Sequence, residues 1–210
     1  MMRMIAAFIS LLLAADPHAV AAVARIDAYY AKMDVMQAAF EQRTESMATR
    51  VAKIEKGQLT VGRKEGILRF DYLQPEKKVF LYRGGSVEFY IPADRQLMRY
   101  TIDDDSRVLP YLFLLGQRRL SECLILPPDH ERAEKAPSEL LHLQMIAAGD
   151  APGDFYVEAD SSGSVNRVLF YDDLRNRVEI RLSGQKRSSR LPAGAGVIDL
   201  APGAEIIERR

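Results

Sequence analysis

The residue types that build dedicated chemistry are scarce in this 210-residue chain, which has no tryptophan, one cysteine and three histidines. The lone Cys123 excludes an internal disulfide and a cysteine-based zinc cluster. Beside Leu124, Ile125 and Leu126 it reads as a small buried hydrophobe, not as a nucleophile. His18, His130 and His142 are scattered, and none has a second ligand type at metal spacing. Neither a Gly-x-Ser-x-Gly elbow nor a glycine-rich phosphate loop occurs, and Gly84-Gly85-Ser86 reads as a hairpin turn. Asp103-Asp104-Asp105 lacks the alternating ligands, central glycine and terminal glutamate of a calcium loop. No catalytic set, metal or cofactor is indicated. Charge of one sign is missing too: 29 basic residues balance 29 acidic ones. That leaves no field to hold a phosphate backbone, which excludes nucleic acid as a partner.

Long hydrophobic runs are also absent. The run Met4 to Leu13 is far short of the roughly 20 residues needed to cross a bilayer as a helix. Arg3 before it, and Ala14-Ala15 followed by Asp16-Pro17 after it, give the layout of a secretory signal. Residues 1–15 are therefore expected to be a signal peptide, with a cut that could lie as late as Ala22. Residues 16–210 are expected to form one domain. No cysteine follows the run, so the lipid-attachment pattern is missing and the exported chain is expected to be unanchored.

What is present is a core's worth of apolar residues, 48% of the chain, arranged with two periods. Val20, Val23, Ile26, Tyr30, Met33, Met36 and Phe40 recur every three or four residues, which predicts one or two helices across this stretch. Strict alternation then takes over in Gln58 to Val61, Leu68 to Tyr72, Val87 to Ile91, Leu141 to Met145, Phe155 to Ala159, Val168 to Tyr171 and Arg177 to Leu182. Turn signals between them predict an antiparallel meander, hence an α+β protein. Pro110 to Gly116 reads as a short apolar helix. In Val79 to Tyr82 and Leu97 to Ile102 both strand faces are apolar, so each face needs a cover. Ordinary helix packing would supply one, and so would a curved sheet enclosing a cavity. Lys186, Arg187 and Arg190 form a basic loop, either a charged turn or a docking surface for an acidic partner or a lipid head group.

One order of motifs is more specific. Phe40-Glu41-Gln42, then Gly57-Gln58-Leu59-Thr60-Val61, then Gly66-Ile67-Leu68-Arg69-Phe70-Asp71-Tyr72-Leu73-Gln74-Pro75 resembles the periplasmic outer-membrane lipoprotein carriers, a Lol-type (LolA-like) family. Gly85, Tyr90-x-Pro92, Gln96, Pro110 to Leu115, Leu191-Pro192 and Pro202-Gly203 extend the match along the chain. Departures are visible. The family's Arg-Pro-Gly becomes Arg63-Lys64-Glu65-Gly66, so Arg63 or Lys64 could hold the arginine position. Phe70 replaces a tryptophan, Leu68 stands in the place of a cavity-mouth phenylalanine, and Val197 stands where a phenylalanine is usual.

The resemblance implies an incomplete, strongly curved antiparallel β-barrel with a helical lid over an apolar cavity. It implies a periplasmic carrier for acylated lipoproteins, not an enzyme, working between an inner-membrane exporter and an outer-membrane receptor, expected as a monomer. On that reading Leu68, Phe70, Tyr72, Phe89 and Ile91 line the cavity, and Met36, Phe40, Leu112 and Leu115 belong to the lid. Arg63 or Arg69 closes the lid by hydrogen bonds to its carbonyls, while Lys186, Arg187 and Arg190 dock a partner. Alternatives are a carrier of another amphiphile, such as a glycolipid, and a periplasmic hydrolase using Asp or Glu with His130 or His142.

Overall fold

The computed structural model describes residues 16–101, 112–127, 140–144, 154–172 and 174–209. The expected signal, Asp103 to Asp105, Pro110, His130 and Met145 lie outside them. Helix α1 (Pro17–Ala31) opens the described chain. Its start follows from Asp16, whose side chain accepts from the His18 amide at 3.0 Å, and from Pro17, whose missing N–H costs nothing in a first turn. Ala19, Ala22, Val23, Ile26 and Tyr30 form its buried stripe.

The helical period does not continue past this point. Val35–Glu45 is strand β1, and the chain turns at Lys32 to Asp34. Met33, Met36 and Phe40 fit a spacing of three and four, but Met36, Ala38 and Phe40 also fit a period of two, and the sheet decides between them. Met36 and Phe40 are thus wall residues on a strand, which corrects their placement in the lid.

The other strands are β2 (Ala52–Gly62), β3 (Ile67–Gln74), β4 (Lys78–Arg83), β5 (Ser86–Ile91), β6 (Gln96–Thr101), β7 (Leu124–Ile125), β8 (Leu140–Gln144), β9 (Asp154–Ala159), β10 (Val165–Tyr171), β11 (Arg177–Ser188) and β12 (Glu205–Arg209). They form one open, curved sheet in the order β12-β6-β5-β4-β3-β2-β1-β11-β10-β9-β8-β7. Every pairing is antiparallel except β12 on β6. Short 3-10 helices, Leu112–Leu115 and Leu120–Glu122, lie between β6 and β7. The α+β class and the incomplete curved barrel are as expected; the C-terminal strand β12 and the strand character of Lys186 and Arg187 are not.

Both faces of β3 to β6 are covered, each by a different piece of chain. Leu68, Phe70, Tyr82 and Val87 face α1 and the 3-10 segment, in one large apolar cluster. Ile67, Leu81, Tyr90 and Leu97 alternate onto the outer face and meet Ile198, Leu191 and Ala204 from the C-terminal segment. The outer face of β10 and β11 is sealed by charge instead. Glu179, buried, accepts from Arg167 at 3.1 Å and Arg181 at 2.7 Å, and pairs with Arg177 at 2.9 Å.

Candidate functional site

The inner face is a trough floored by the sheet. Register puts Met36, Val61 and Leu68 side by side across β1, β2 and β3. It continues through Leu68 and Tyr82 to Val87, all buried beneath α1 and the 3-10 segment. Further along the same strands the cover thins. Phe80, Phe89, Ile91, Met98 and Tyr72 are half-buried, so the trough is sealed at one end and partly open at the other. Aromatic edges build the passage between the ends: Phe40 stands edge-on to Phe70 and Tyr72, with ring centres 5.1 and 5.0 Å away.

The cover is held by a few polar ties. The Asp27 carboxylate on α1 accepts from the amides of Leu120 at 2.9 Å and Ser121 at 3.0 Å, which joins helix and 3-10 segment. Tyr82 donates to Gln117 at 2.9 Å, and the Val165 amide donates to the Tyr30 hydroxyl at 3.1 Å. The Arg63 guanidinium crowds Gly116, where a Cβ would fall 1.8 Å from its Nη2. With φ of +71°, Gly116 is required twice, by its backbone and by that approach. Burial draws the Arg63 guanidinium below its ordinary pKa, and the nearby Asp27 charge pulls it back up.

The sequence-derived residues separate along these lines. Leu68, Phe70, Tyr72, Phe89 and Ile91 share the inner face, although only Leu68 and Phe70 are fully buried. Leu112 and Leu115 are buried in the cover. Of the two candidate lid-closing arginines, Arg63 lies against the cover and Arg69 does not. Strand alternation sends Arg69 to the outer face, where it donates to the carbonyls of Gly194 at 3.0 Å, Ala195 at 3.5 Å and Val197 at 2.6 Å. Arg69 closes the C-terminal segment onto the sheet, not the lid. Lys186 and Arg187 sit at the end of β11, with the Arg187 guanidinium 3.5 Å from the centre of the Tyr29 ring on α1. Arg190 follows the strand, exposed.

Sequence reasoning passed over Phe80, Met98 and Asp27, and above all the pair Glu55 and Lys78 on the inner face. Burial pushes the Glu55 carboxyl up, but hydrogen bonds from Lys78 and Lys53 outweigh it and hold the group below its ordinary pKa. Away from the trough, Cys123 is half-buried, and burial pushes its thiol up to about 11. His142 lies stacked on Tyr156, its ring nitrogens 2.9 Å from the Pro127 carbonyl and 2.7 Å from Asp154. These are the surroundings of a structural histidine.

Among the described residues no helix is long and apolar enough to cross a membrane. The family model described as outer membrane lipoprotein carrier protein LolA matches residues 31–195. An outer-membrane lipoprotein carrier protein from Psychromonas ingrahamii is 23% identical over 180 residues, which are 86% of this chain and 84% of that protein. Among solved structures, an uncharacterized conserved protein from Thermus thermophilus superposes with a TM-score of 0.50 at 14% identity, over 91% of this chain and 99% of that one. A LolA superfamily protein from Nitrosomonas europaea gives a TM-score of 0.48 at 12% identity, covering 86% and 97%. The likeness to the Thermus thermophilus protein speaks for the fold alone, whereas the family match spans β1 to β11 and the 3-10 segment between them: this chain belongs to the outer membrane lipoprotein carrier (LolA) family.

Proposed function

We propose that the chain is a periplasmic carrier that holds the acyl chains of lipoproteins in the inner trough between release from the inner membrane and delivery to the outer membrane. The observation that carries this reading is the apolar inner face, sealed at the Leu68 end and half-open at the Phe89 end, under a cover made of two short pieces of chain. Three chains of about fifteen methylenes at about 0.8 kcal/mol each would cost roughly 36 kcal/mol to expose to water. Non-covalent affinity saturates near about 20 kcal/mol. The carrier need not match the membrane, but it must receive and release its cargo by direct hand-off, and a cover held by few ties suits that.

The place of α1 favours the earlier of the two expected cuts. A cut after Ala15 leaves the Asp16 cap and the whole of α1, while a cut after Ala22 would remove the buried Ala19 and Ala22. The protein acts as a monomer without catalysis, receives cargo from an inner-membrane exporter and passes it to an outer-membrane receptor. Lys186, Arg187 and Arg190 are the docking residues. A pull-down from periplasm tests the reading: acylated proteins should be retained by the wild type and lost from Leu68→Glu, which places a carboxylate on the trough floor. Recovery of no acylated protein by the wild type would overturn it.

A further inference from the structure

The trough is apolar along its floor except at one place. Where β2 and β4 reach the half-open end, Lys78 Nζ donates to Glu55 Oε1 at 2.5 Å. Both groups are withdrawn from water: the Glu55 side chain is 6% exposed and that of Lys78 13%. Their mutual attraction barely repays the loss of hydration, and an apolar pair of the same volume would hold the fold as well. Stability therefore gives no reason for charges on this face. The placement does. Lys78 Nζ lies 4.6 Å from the centre of the Tyr72 ring and 5.8 Å from that of Phe89, both on the half-open side of the trough.

Gln42 stands beside them on β1, accepting from the Tyr72 hydroxyl at 2.9 Å and donating to Thr44 at 3.2 Å. Lys53 shares Glu55 and also pairs with Glu76, so two carboxylates balance two ammonium groups and the cluster is not built to capture an anion. Among the described residues Glu55 is the one oxygen partner of the ammonium, which has three N–H bonds. Two remain for a neutral acceptor. The neutral acceptor that belongs to an acyl chain is the carbonyl at its head. We propose that Lys78, positioned by Glu55 and flanked by Gln42, binds the ester and amide carbonyl oxygens at the heads of the acyl chains. The heads then lie at the half-open end, and the tails run along Phe70 to Leu68 beneath α1. This rests on the reading of the trough as an acyl-chain site and adds the direction in which the chains lie.

The test compares a diacyl lipopeptide bearing ester-linked chains with its dialkyl ether analogue of equal chain length. Each is titrated against the wild type and Lys78→Met, which keeps the apolar stem and removes the donors. Glu55 retains Lys53 at 3.0 Å in this variant, so it is not left alone. Lys78→Met should bind the ester about tenfold more weakly and the ether within about twofold of wild type. Equal losses for both ligands, or no loss for either, would overturn the site. If Lys78→Met does not fold, the double variant Glu55→Gln/Lys78→Met removes both charges together and should show the same ester-specific loss; its absence there counts equally against the site. Wild-type protein that binds neither ligand overturns the acyl-chain reading itself, whereas binding both equally overturns only the carbonyl site.

Discussion

Over β3 to β6 the inner face and the outer apolar patch of Ile67, Leu81, Tyr90 and Leu97, which lies among Arg69, Asp71, Glu88 and Arg99, are both covered, yet they are closed in different ways. On the outer face the C-terminal segment is tied by Arg69 to three carbonyls, by Arg83 to the Gly196 carbonyl at 2.9 Å, and by the Ala201 amide donating to the Tyr90 hydroxyl at 3.1 Å. It then joins the sheet as β12. On the inner face the 3-10 segment adds no strand beside the sheet strands it covers, and is held by Asp27, by the Tyr82–Gln117 hydrogen bond and by Arg63 against Gly116. One cover is built into the sheet and the other is laid on it. The back therefore carries more ties than the front, and the front is where the proposed carrier would open.

The strongest way to break the back is through charge. Glu179 is the carboxylate shared by Arg167, Arg177 and Arg181, and removing one partner of a buried ion pair costs about 3–5 kcal/mol. Glu179→Gln should lower the urea midpoint by a corresponding amount. Burial pushes the Glu179 carboxyl up, but the surrounding guanidinium groups hold it below its ordinary value of 4.5. A carboxyl depressed in the folded state contributes fully above that ordinary value, and the contribution is lost as pH falls through the lower folded one. The wild type should therefore lose stability below about pH 4.5 more steeply than Glu179→Gln in matched unfolding curves.

Next in size is the apolar seal. Leu81 is 1% exposed in the outer cluster, and Leu81→Ala should cost about 2–5 kcal/mol by chemical denaturation. A loss below about 1 kcal/mol would mean that the C-terminal segment is as loosely laid as the inner cover. Arg69→Ala should cost less, about 1–3 kcal/mol, since its carbonyl partners are near enough to the surface to regain water. It should raise amide exchange over residues 194–205 and leave cargo binding unchanged. Altered binding with normal exchange would return Arg69 to the lid.

How far these features could be read from the chain depended on the distance over which each is encoded. Alternation in Leu68 to Tyr72 and in Val87 to Ile91 is local and predicts the strands directly, whereas their role as a cavity wall comes only with the family resemblance. The need for two covers was visible in Val79 to Tyr82, where neither face is polar. Met36 and Phe40 were misplaced because their spacing satisfies both periods, and only pairing with Val61 and Gly57 selects the strand. The direction of Arg69 follows from the same alternation that put Leu68 and Phe70 inside, so the motif resemblance was weaker there than the residue pattern. Glu55 and Lys78 carry no local signal, because 23 residues separate them and register alone brings them together.

The smallest change aims at the inner cover alone. Gly116 has φ of +71°, and a Cβ there would fall 1.8 Å from Arg63 Nη2, so Gly116→Ala both strains the backbone and expels the guanidinium that rests on it. The backbone strain is about 1–2 kcal/mol. If the cover opens separately from the sheet, that strain should appear as faster amide exchange at residues 112–123, with residues 194–205 and the strand cores as protected as in the wild type. Cargo should load and leave faster, while the midpoint of global unfolding falls by no more than the free energy of opening, because past that point the open form, which lacks the strained contact, becomes the more stable folded one. Were the front bound into the sheet as the back is, the same substitution would lower the global midpoint by its full cost and raise exchange evenly across β2 to β6. The ratio of local to global effect at this one glycine measures how far the two covers differ.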